Sequence, residues 1–246
     1  MFRLSCFVFL SLIACAVLAA PAPKDGWDRP IDPDNDCKFV IKDGTVTIEL
    51  SGGDHDLAPK RKRFNAPRLL REVEGDFVMQ VRVCALFRPS AKSSVDGVES
   101  RVAAGLVLIP VEKNYIRLEY QGRRLKGEQL NDFAIRMRGG QLGMHAELGF
   151  IPGNPPPPGV KRNPPKKKPP PANEEKVYLR FARQGNNIRK TVSLNGKKWE
   201  PTFTWETKGG LPNKFKVGLA AYSTSTEPFK VRFDKFKLVQ GQQKSK

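Results

Sequence analysis

The chain has 246 residues, and its 43 lysines and arginines outnumber its 25 aspartates and glutamates to give a formal net charge of +18. This length is common for one all-β sandwich or barrel and is enough to bury a core without covalent staples. The charge favours anionic partners. With two histidines, four cysteines and no Cys-x-x-Cys pair, the sequence argues against a zinc site. We therefore expect no metal ion and no other cofactor.

The N-terminus has the layout of an export signal. A positive charge at Arg3 precedes an apolar run at 4–18, and the residues before Ala20 satisfy the small-residue rule for cleavage. We predict a signal peptide at 1–19 and a secreted protein of the periplasm or cell surface. The apolar run is shorter than the roughly twenty residues of a membrane helix, so we expect no integral membrane span. Export also makes nucleic acid the least expected anion, and we expect no nucleic-acid partner.

The four cysteines leave two questions open. The run Leu-Ile-Ala-Cys ending at Cys15 resembles a bacterial lipobox, and lipidation of Cys15 would anchor the protein to a membrane. The apolar residues that follow Cys15 favour ordinary cleavage instead. Cys37 and Cys84 remain after cleavage, in an oxidising compartment. They either form a disulfide or stay as buried free thiols, because the sequence does not give their separation.

The hydrophobic periodicity is two along almost the whole chain, which is typical of strands. Asp43-Gly44 and Asn195-Gly196 predict hairpin turns. Residues 103–109 form a continuous apolar strand, which predicts either burial on both faces or one face lined by small residues. The predicted strands lie at 38–50 (two strands), 76–84, 103–109, 114–120, 133–138, 177–182, 188–194, 217–222 and 229–239. This many short strands between Gly, Pro and Asn turns predict an all-β sandwich or jelly roll.

One segment interrupts this pattern. Residues 151–173 contain ten of the 21 prolines, together with five lysines and arginines and no acidic residue. Such a composition forms neither strand nor helix, so we predict an extended basic loop at 152–173 inserted between two strands. The loop is either a solvated spacer or an electrostatic arm that contacts an acidic polymer.

Several strand motifs together resemble those of one known family. They are Gly75–Val81, Ala104–Leu108, Asn114–Glu119, Ser193–Trp199, Val217–Ser223 and Phe229–Leu238. The order of these motifs resembles the concanavalin A-like lectin/glucanase superfamily, and within it the bacterial domains similar to the "regulation of enolase" protein. The resemblance implies a jelly-roll sandwich of two antiparallel sheets, one of them concave, over residues 27–240. It implies no activity, because the fold is shared by lectins, hydrolases and adhesion modules.

The strand alternation also predicts a binding surface. If Ile116, Leu118 and their counterparts on other strands face the core, the intervening side chains lie on the opposite face. Those side chains are Tyr115, Arg117, Glu119, Arg136, Arg138, Tyr178 and Arg180. Tyrosine rings stack on sugars and guanidinium groups bind carboxylate or sulfate, so we predict that this concave face binds an acidic glycan or another anionic surface polymer. The alternative is an ordinary solvated sheet face.

The sequence offers little support for catalysis. The glucanases of the superfamily carry a Glu-x-Asp-x-Glu-like run, which this chain lacks, and there is no Gly-x-Ser-x-Gly elbow. Glu119 is the acid at a strand centre, and Glu147 has no evident partner. We predict a non-catalytic binding module with no catalytic residue. A glycan hydrolase with a non-standard carboxylate site and a structural protein-interaction module remain as alternatives.

Two short acidic motifs invite a metal interpretation. Asp32, Asp34 and Asp36 alternate as calcium ligands do, but Cys37 stands where the EF-hand loop needs glycine. We predict a structural turn there, before the first strand. The Asp-His-Asp run around His55 is likewise predicted to be a loop, so no metal ligand is assigned. Trp27, Trp199 and Trp205 are predicted to be core or edge aromatics.

Overall fold

A computed structural model describes residues 26–58, 61–111, 114–139, 144–150, 173–206 and 210–241. The predicted signal peptide with Cys15, and positions 152–172 of the predicted basic loop, lie outside these residues. No helix within the described ranges has the length and hydropathy needed to cross a bilayer.

The described strands, numbered β1 to β15 along the chain, form two large sheets and one small hairpin. The seven-stranded sheet has the order β1 (Lys38–Lys42), β2 (Thr45–Leu50), β15 (Phe229–Gln240), β6 (Phe77–Ala85), β11 (Glu175–Gln184), β12 (Asn187–Ser193), β13 (Glu200–Glu206). The six-stranded sheet has the order β10 (Met144–Phe150), β9 (Glu128–Gly139), β8 (Tyr115–Leu125), β7 (Arg101–Ile109), β14 (Lys214–Ser223), β5 (Arg68–Glu74). The hairpin joins β3 (Leu57–Ala58) to β4 (Arg63–Phe64).

The two large sheets pack face to face around one main core. Every strand pairing is antiparallel. Alternate residues of β6, such as Met79 and Val81, are fully buried in this core, while Val78 between them is 42% exposed. The predicted all-β jelly-roll sandwich of two antiparallel sheets is therefore confirmed, and the period-two pattern arises because successive strand residues point to opposite faces.

Strand β7 is buried on both faces, which is one of the two arrangements that its continuous apolar sequence predicts. Leu106 and Leu108 pack in the main core, whereas Ala103 and Val107 pack in a second, smaller cluster on the outer face of the six-stranded sheet. The small cluster also contains Leu57 from the β3–β4 hairpin. This hairpin therefore covers part of the outer face, which an open sandwich would leave to solvent.

The tight turns follow the predicted chemistry in one case and depart from it in another. Asp43 and Gly44 have φ values of 50° and 69° and join β1 to β2 in a two-residue hairpin, as predicted. Asn195-Gly196 instead lies in a longer loop between β12 and β13. There the Asn195 side-chain oxygen accepts backbone N–H groups of Lys197 and Lys198 at 2.8 and 2.9 Å. Asn195 therefore stabilises the loop through its side chain.

Candidate functional site

The structure divides the seven predicted binding residues between the two sheets. Tyr115, Arg117 and Glu119 lie on β8, and Arg136 and Arg138 lie on β9, all in the six-stranded sheet. Tyr178 and Arg180 lie on β11, which pairs with β6 and β12 in the seven-stranded sheet. The prediction that all seven share one face is therefore wrong. Alternation fixes the face of a strand, but strand order decides which sheet that strand joins. The side chain of Arg138 is outside the described part of the structure.

Three of the predicted residues on β8 and β9 belong to a buried charge network. The network consists of Asp56, Arg101, Arg117, Glu119 and Arg136. Glu119 is fully buried and accepts hydrogen bonds at Oε1 from Arg101 Nη1 and Arg136 Nε, at 2.9 and 2.8 Å. Arg117 Nη1 donates to Asp56 Oδ1 at 2.7 Å, and Arg117 Nε lies 3.3 Å from Glu119 Oε2. Each acidic group is thus shared by two or more guanidinium groups, which offsets the cost of burying the charges.

The pKa values of the two carboxyls in the network follow from this pairing. Burial alone would raise the pKa of Asp56, but the charges of Arg117 and Arg101 outweigh burial and hold it well below its usual range. The same balance lowers the pKa of Glu119. Both groups are therefore ionised at neutral pH. A glycosidase needs a general acid with a raised pKa, so this pair gives no support to the hydrolase alternative.

A covering segment, residues 55–66 with 59 and 60 outside the described residues, lies over the buried charge network. It supplies Asp56 to the network, and its Phe64 packs on Tyr115 with ring centroids 6.5 Å apart. The Arg117 guanidinium lies over the rings of Tyr115 and Tyr222, at 5.2 and 4.3 Å. Tyr115 is only 7% exposed as a result. Tyr115 and Arg117 thus hold the covering segment on the sheet, and Glu119 pairs with Arg117 beneath it.

The two predicted residues on β11, Tyr178 and Arg180, border a basic depression on the outer face of the seven-stranded sheet. The depression has a volume of about 230 Å³ and is lined by Val78, Arg180, Ala182, Arg189, Thr191, Trp199 and Pro201. Arg180 lies flat on Trp199, with its Cζ 3.7 Å from the ring centroid, and donates to Gln80 Oε1 from Nε and Nη2 at 3.2 and 2.7 Å. Tyr178 contacts Trp199 edge-on, at 6.4 Å between ring centroids.

The strand register explains the shape of the basic depression. Arg180 stands opposite Thr191, and Ala182 stands opposite Arg189, so a large and a small side chain face each other in each row. The small residues form the floor, and the arginines form the walls. Trp199 comes from the β12–β13 loop, the same loop that the Asn195 side chain stabilises. These hydrogen bonds order the loop just before Trp199, and the indole itself contacts Arg180 and Tyr178.

The electrostatics of the basic depression differ from those of the buried charge network. Burial, and then repulsion from Arg189, lowers the pKa of Arg180. Within the described residues, neither Arg180 nor Arg189 forms an ion pair with a carboxylate. Both guanidinium groups therefore have hydrogen-bonding capacity left for an anion, next to an aromatic face.

Sequence reasoning missed four participants in these two regions. Trp199 is predicted to be a core or edge aromatic, and no role is predicted for Arg189. A usable signal exists for Arg189, because it follows Ile188 in a predicted strand and therefore points to the opposite face. Asp56 and Arg101 reach Glu119 and Arg117 only through the fold. No local pattern links residue 56 to residue 117.

The cysteines and the acidic motifs are also placed by the structure. Cys37 is a half-buried free thiol and Cys84 is a buried free thiol, so the disulfide alternative does not hold in this structure. Asp32 forms the predicted turn, because its Oδ2 accepts the backbone N–H of Cys37 at 2.9 Å. Metal-ligating atoms of Asp36, Cys37 and His55 lie within 4.8 Å of one another. This cluster combines one residue from each of the two acidic motifs with a cysteine.

Comparisons with known proteins identify the fold. No family model matches the chain, and no curated protein matches its sequence. Among solved structures, the chain is similar to an alginate lyase from Klebsiella pneumoniae, with a TM-score of 0.58, 15% identity, and coverage of 91% of this chain and 100% of that chain. It is also similar to a functionally unknown protein from Saccharomyces cerevisiae, with a TM-score of 0.56, 16% identity, and coverage of 87% and 95%. At these identities the similarity establishes a shared jelly-roll architecture.

Proposed function

We propose that this protein is a secreted, non-catalytic module that binds an acidic carbohydrate in the basic depression. One observation carries the proposal: Arg180 and Arg189 lie side by side next to Trp199, and neither has a carboxylate partner among the described residues. A uronate carboxylate or a sulfate would accept hydrogen bonds from the two guanidinium groups, while the sugar ring packs on the indole. The shallow shape suits one or two units of a long polymer.

The buried charge network is less suited to this role. Arg117 and Arg136, which were predicted to bind the acidic groups of a glycan, already donate to Asp56 and Glu119. A ligand at this face would have to displace the covering segment and replace those ion pairs. The basic depression needs no such rearrangement, because its arginines lie at the surface of the sheet.

Several features support an acidic polymer as the ligand. The net charge of +18 attracts polyanions, and the predicted basic loop at 152–173 precedes β11, the strand that carries Arg180. The N-terminal sequence predicts export to the compartment where such polymers occur. The similarity to an alginate lyase makes alginate, a polymer of uronic acids, the first ligand to test. The motif order further supports a relationship to the regulation-of-enolase-like domains as part of this proposal.

The proposal is tested by calorimetric titration of the exported protein with alginate and with a neutral glucan. We expect the double variant Arg180→Gln/Arg189→Gln to bind alginate at least tenfold more weakly, because it loses both guanidinium forks. The matched control is Arg88→Gln/Lys42→Gln, which removes the same charge at exposed positions elsewhere and should bind nearly as well as wild type. Binding to the neutral glucan should be weak and equal in all three proteins.

Two further experiments distinguish the basic depression from the basic loop as the binding site, and a binding module from an enzyme. Neutralising Lys166, Lys167 and Lys168 should reduce binding less than the double arginine variant does, since lysines act as salt-screened point charges and do not form planar forks. A larger effect from the lysines would move the site to the basic loop and overturn the assignment of the depression. Depolymerisation of alginate by the purified protein would contradict the non-catalytic part of the proposal.

A further inference from the structure

A cluster of metal-ligating side chains lies at the edge of the seven-stranded sheet, apart from the basic depression. The pairing of Lys38 with Glu49 in the β1–β2 hairpin brings the residues just before β1 next to those just after β2. Asp36 and Cys37 therefore approach Ser51, and the loop after Ser51 returns His55 to the same place. The hairpin register, not local spacing, assembles the cluster.

Two polar side chains in the cluster contact the same nitrogen of the His55 imidazole. His55 Nε2 lies 3.5 Å from Asp36 Oδ2 and 3.3 Å from Ser51 Oγ, while Cys37 Sγ lies 3.4 Å from Asp36 Oδ1. Ser51 Oγ also donates to Asp36 Oδ2 at 2.5 Å. In a Ser-His-Asp triad the aspartate and the serine contact opposite nitrogens of the ring. Here both contact Nε2, so the arrangement does not fit a triad.

The separations match those between ligands of a tetrahedral metal ion. Zinc binds nitrogen and oxygen at about 2.0 Å and sulfur at about 2.3 Å, which at tetrahedral angles places the ligand atoms roughly 3.3–3.5 Å apart. The distances from Asp36 Oδ2 to His55 and from Asp36 Oδ1 to Cys37 fall in this range, and one ligand atom from each of the three residues lies within 4.8 Å of the others. An ion could therefore be accepted with small side-chain rotations and without movement of the strands.

The state of His55 is an independent indication of a ligand. Its side chain is 2% exposed, and its backbone is fixed by two hydrogen bonds to Ser223, at 2.8 and 3.0 Å. Its Nδ1 is buried and makes no hydrogen bond within the described residues. The imidazole is thus desolvated and rigidly placed, but within the described residues Nδ1 has no hydrogen-bond partner and Nε2 has only the two long contacts to Ser51 and Asp36. Coordination at Nε2 would compensate for that desolvation.

We propose that Asp36, Cys37 and His55 bind a divalent transition-metal ion of the zinc class. An imidazole, a thiolate and a carboxylate are a donor set that zinc prefers, whereas calcium and magnesium take oxygen ligands. The fourth position lies beside Ser51 and is open to its hydroxyl or to water. Binding deprotonates the Cys37 thiol and releases that proton to solvent. The ion joins the segment before β1 to the start of the covering segment, where His55 lies.

The test uses the metal-free exported protein. Titration with Zn²⁺ should show one ion per chain, and addition of Co²⁺ should give the near-ultraviolet charge-transfer band of a thiolate–cobalt bond. Cys37→Ser should abolish the band, and both Cys37→Ser and Asp36→Asn should weaken Zn²⁺ binding at least tenfold. Cys84→Ala is the matched control, since it removes the other described free thiol and should leave both signals unchanged.

Two results with cobalt or zinc would overturn the proposal, and a third with calcium would do the same. One is the absence of the thiolate band in wild-type protein that contains bound Co²⁺. The other is Zn²⁺ affinity that is unchanged in Cys37→Ser. Asp36 is 39% exposed, so Asp36→Asn should fold normally, and an unchanged circular dichroism spectrum would verify this. Binding of Ca²⁺ that competes with Zn²⁺ and survives Cys37→Ser would identify an oxygen site and would equally contradict the zinc assignment.

Discussion

The outer faces of the two sheets carry similar residues in different electrostatic states. On the six-stranded sheet, Arg117 is buried against Asp56 and Glu119 and lies over two tyrosine rings. On the seven-stranded sheet, Arg180 lies over Trp199, and among the described residues the amide oxygen of Gln80 is its only side-chain acceptor. The first arginine is paired with two carboxylates inside the protein, whereas the second has no carboxylate partner among the described residues. Residue type alone therefore does not distinguish a structural arginine from a binding arginine, but the acceptors around it do.

The largest expected effect comes from removing the central acceptor of the buried charge network. Glu119→Ala leaves Arg101, Arg117 and Arg136 without their shared carboxylate, and breaking such a buried set costs about 3–5 kcal/mol. For a chain of this size the loss corresponds to a fall in Tm of roughly 10 °C. The measurement is urea denaturation followed by circular dichroism.

The control for this variant is Glu72→Ala on β5 of the same sheet. Glu72 is 61% exposed and lies 3.7 Å from the exposed Lys214, so its loss should change the free energy of unfolding by less than about 1 kcal/mol. Equal effects of Glu72→Ala and Glu119→Ala would show that the network does not stabilise the fold.

Lowering the pH should have an intermediate effect on the free energy of unfolding. Because the arginines lower the pKa values of Asp56 and Glu119 in the folded state, the unfolded chain binds more protons just below its own carboxyl pKa of about 4. The stabilisation is therefore complete above about pH 4 and is lost as the pH falls, by about 1.4 kcal/mol for each pH unit and each carboxyl. Urea denaturation at a series of acidic pH values measures the slope.

Asp56→Asn should make that slope shallower. Asp43→Asn, in the exposed β1–β2 turn, removes a carboxyl that has no ion pair within the described residues and should leave the slope unchanged. A slope that Asp56→Asn does not alter would show that other carboxyls govern the acid unfolding.

The smallest expected effect on stability is that of Arg180→Gln. Within the part of the chain that the structure describes, its guanidinium group has no carboxylate partner to leave unpaired, so the free energy of unfolding should change by no more than about 1 kcal/mol. The same substitution at Arg117 should cost several times as much, because Asp56 and Glu119 would remain buried next to a neutral side chain. Similar costs at the two positions would remove the distinction between them.

The sequence alone determined the all-β class and the inward and outward faces of the strands that it predicted. Period-two alternation placed Met79 inward and Val78 outward, and burial on both faces was one of the two alternatives that the continuous apolar run of β7 indicated. The turn at Asp43-Gly44 was also predictable, because two consecutive residues with positive φ favour that dipeptide. These features are local, since they depend on side-chain direction and backbone conformation within a few residues.

Only the tertiary structure decided which side chains meet. Sequence alternation grouped Arg117 with Arg180, but β8 and β11 join different sheets, so the two arginines lie on opposite outer faces. Asp56 reaches Arg117, and His55 reaches Asp36, through loops whose paths have no periodic signal. The physical reason is that the order of strands in a sheet and the path of a loop depend on contacts between residues far apart in the chain. Whether an arginine is paired or available follows from those contacts.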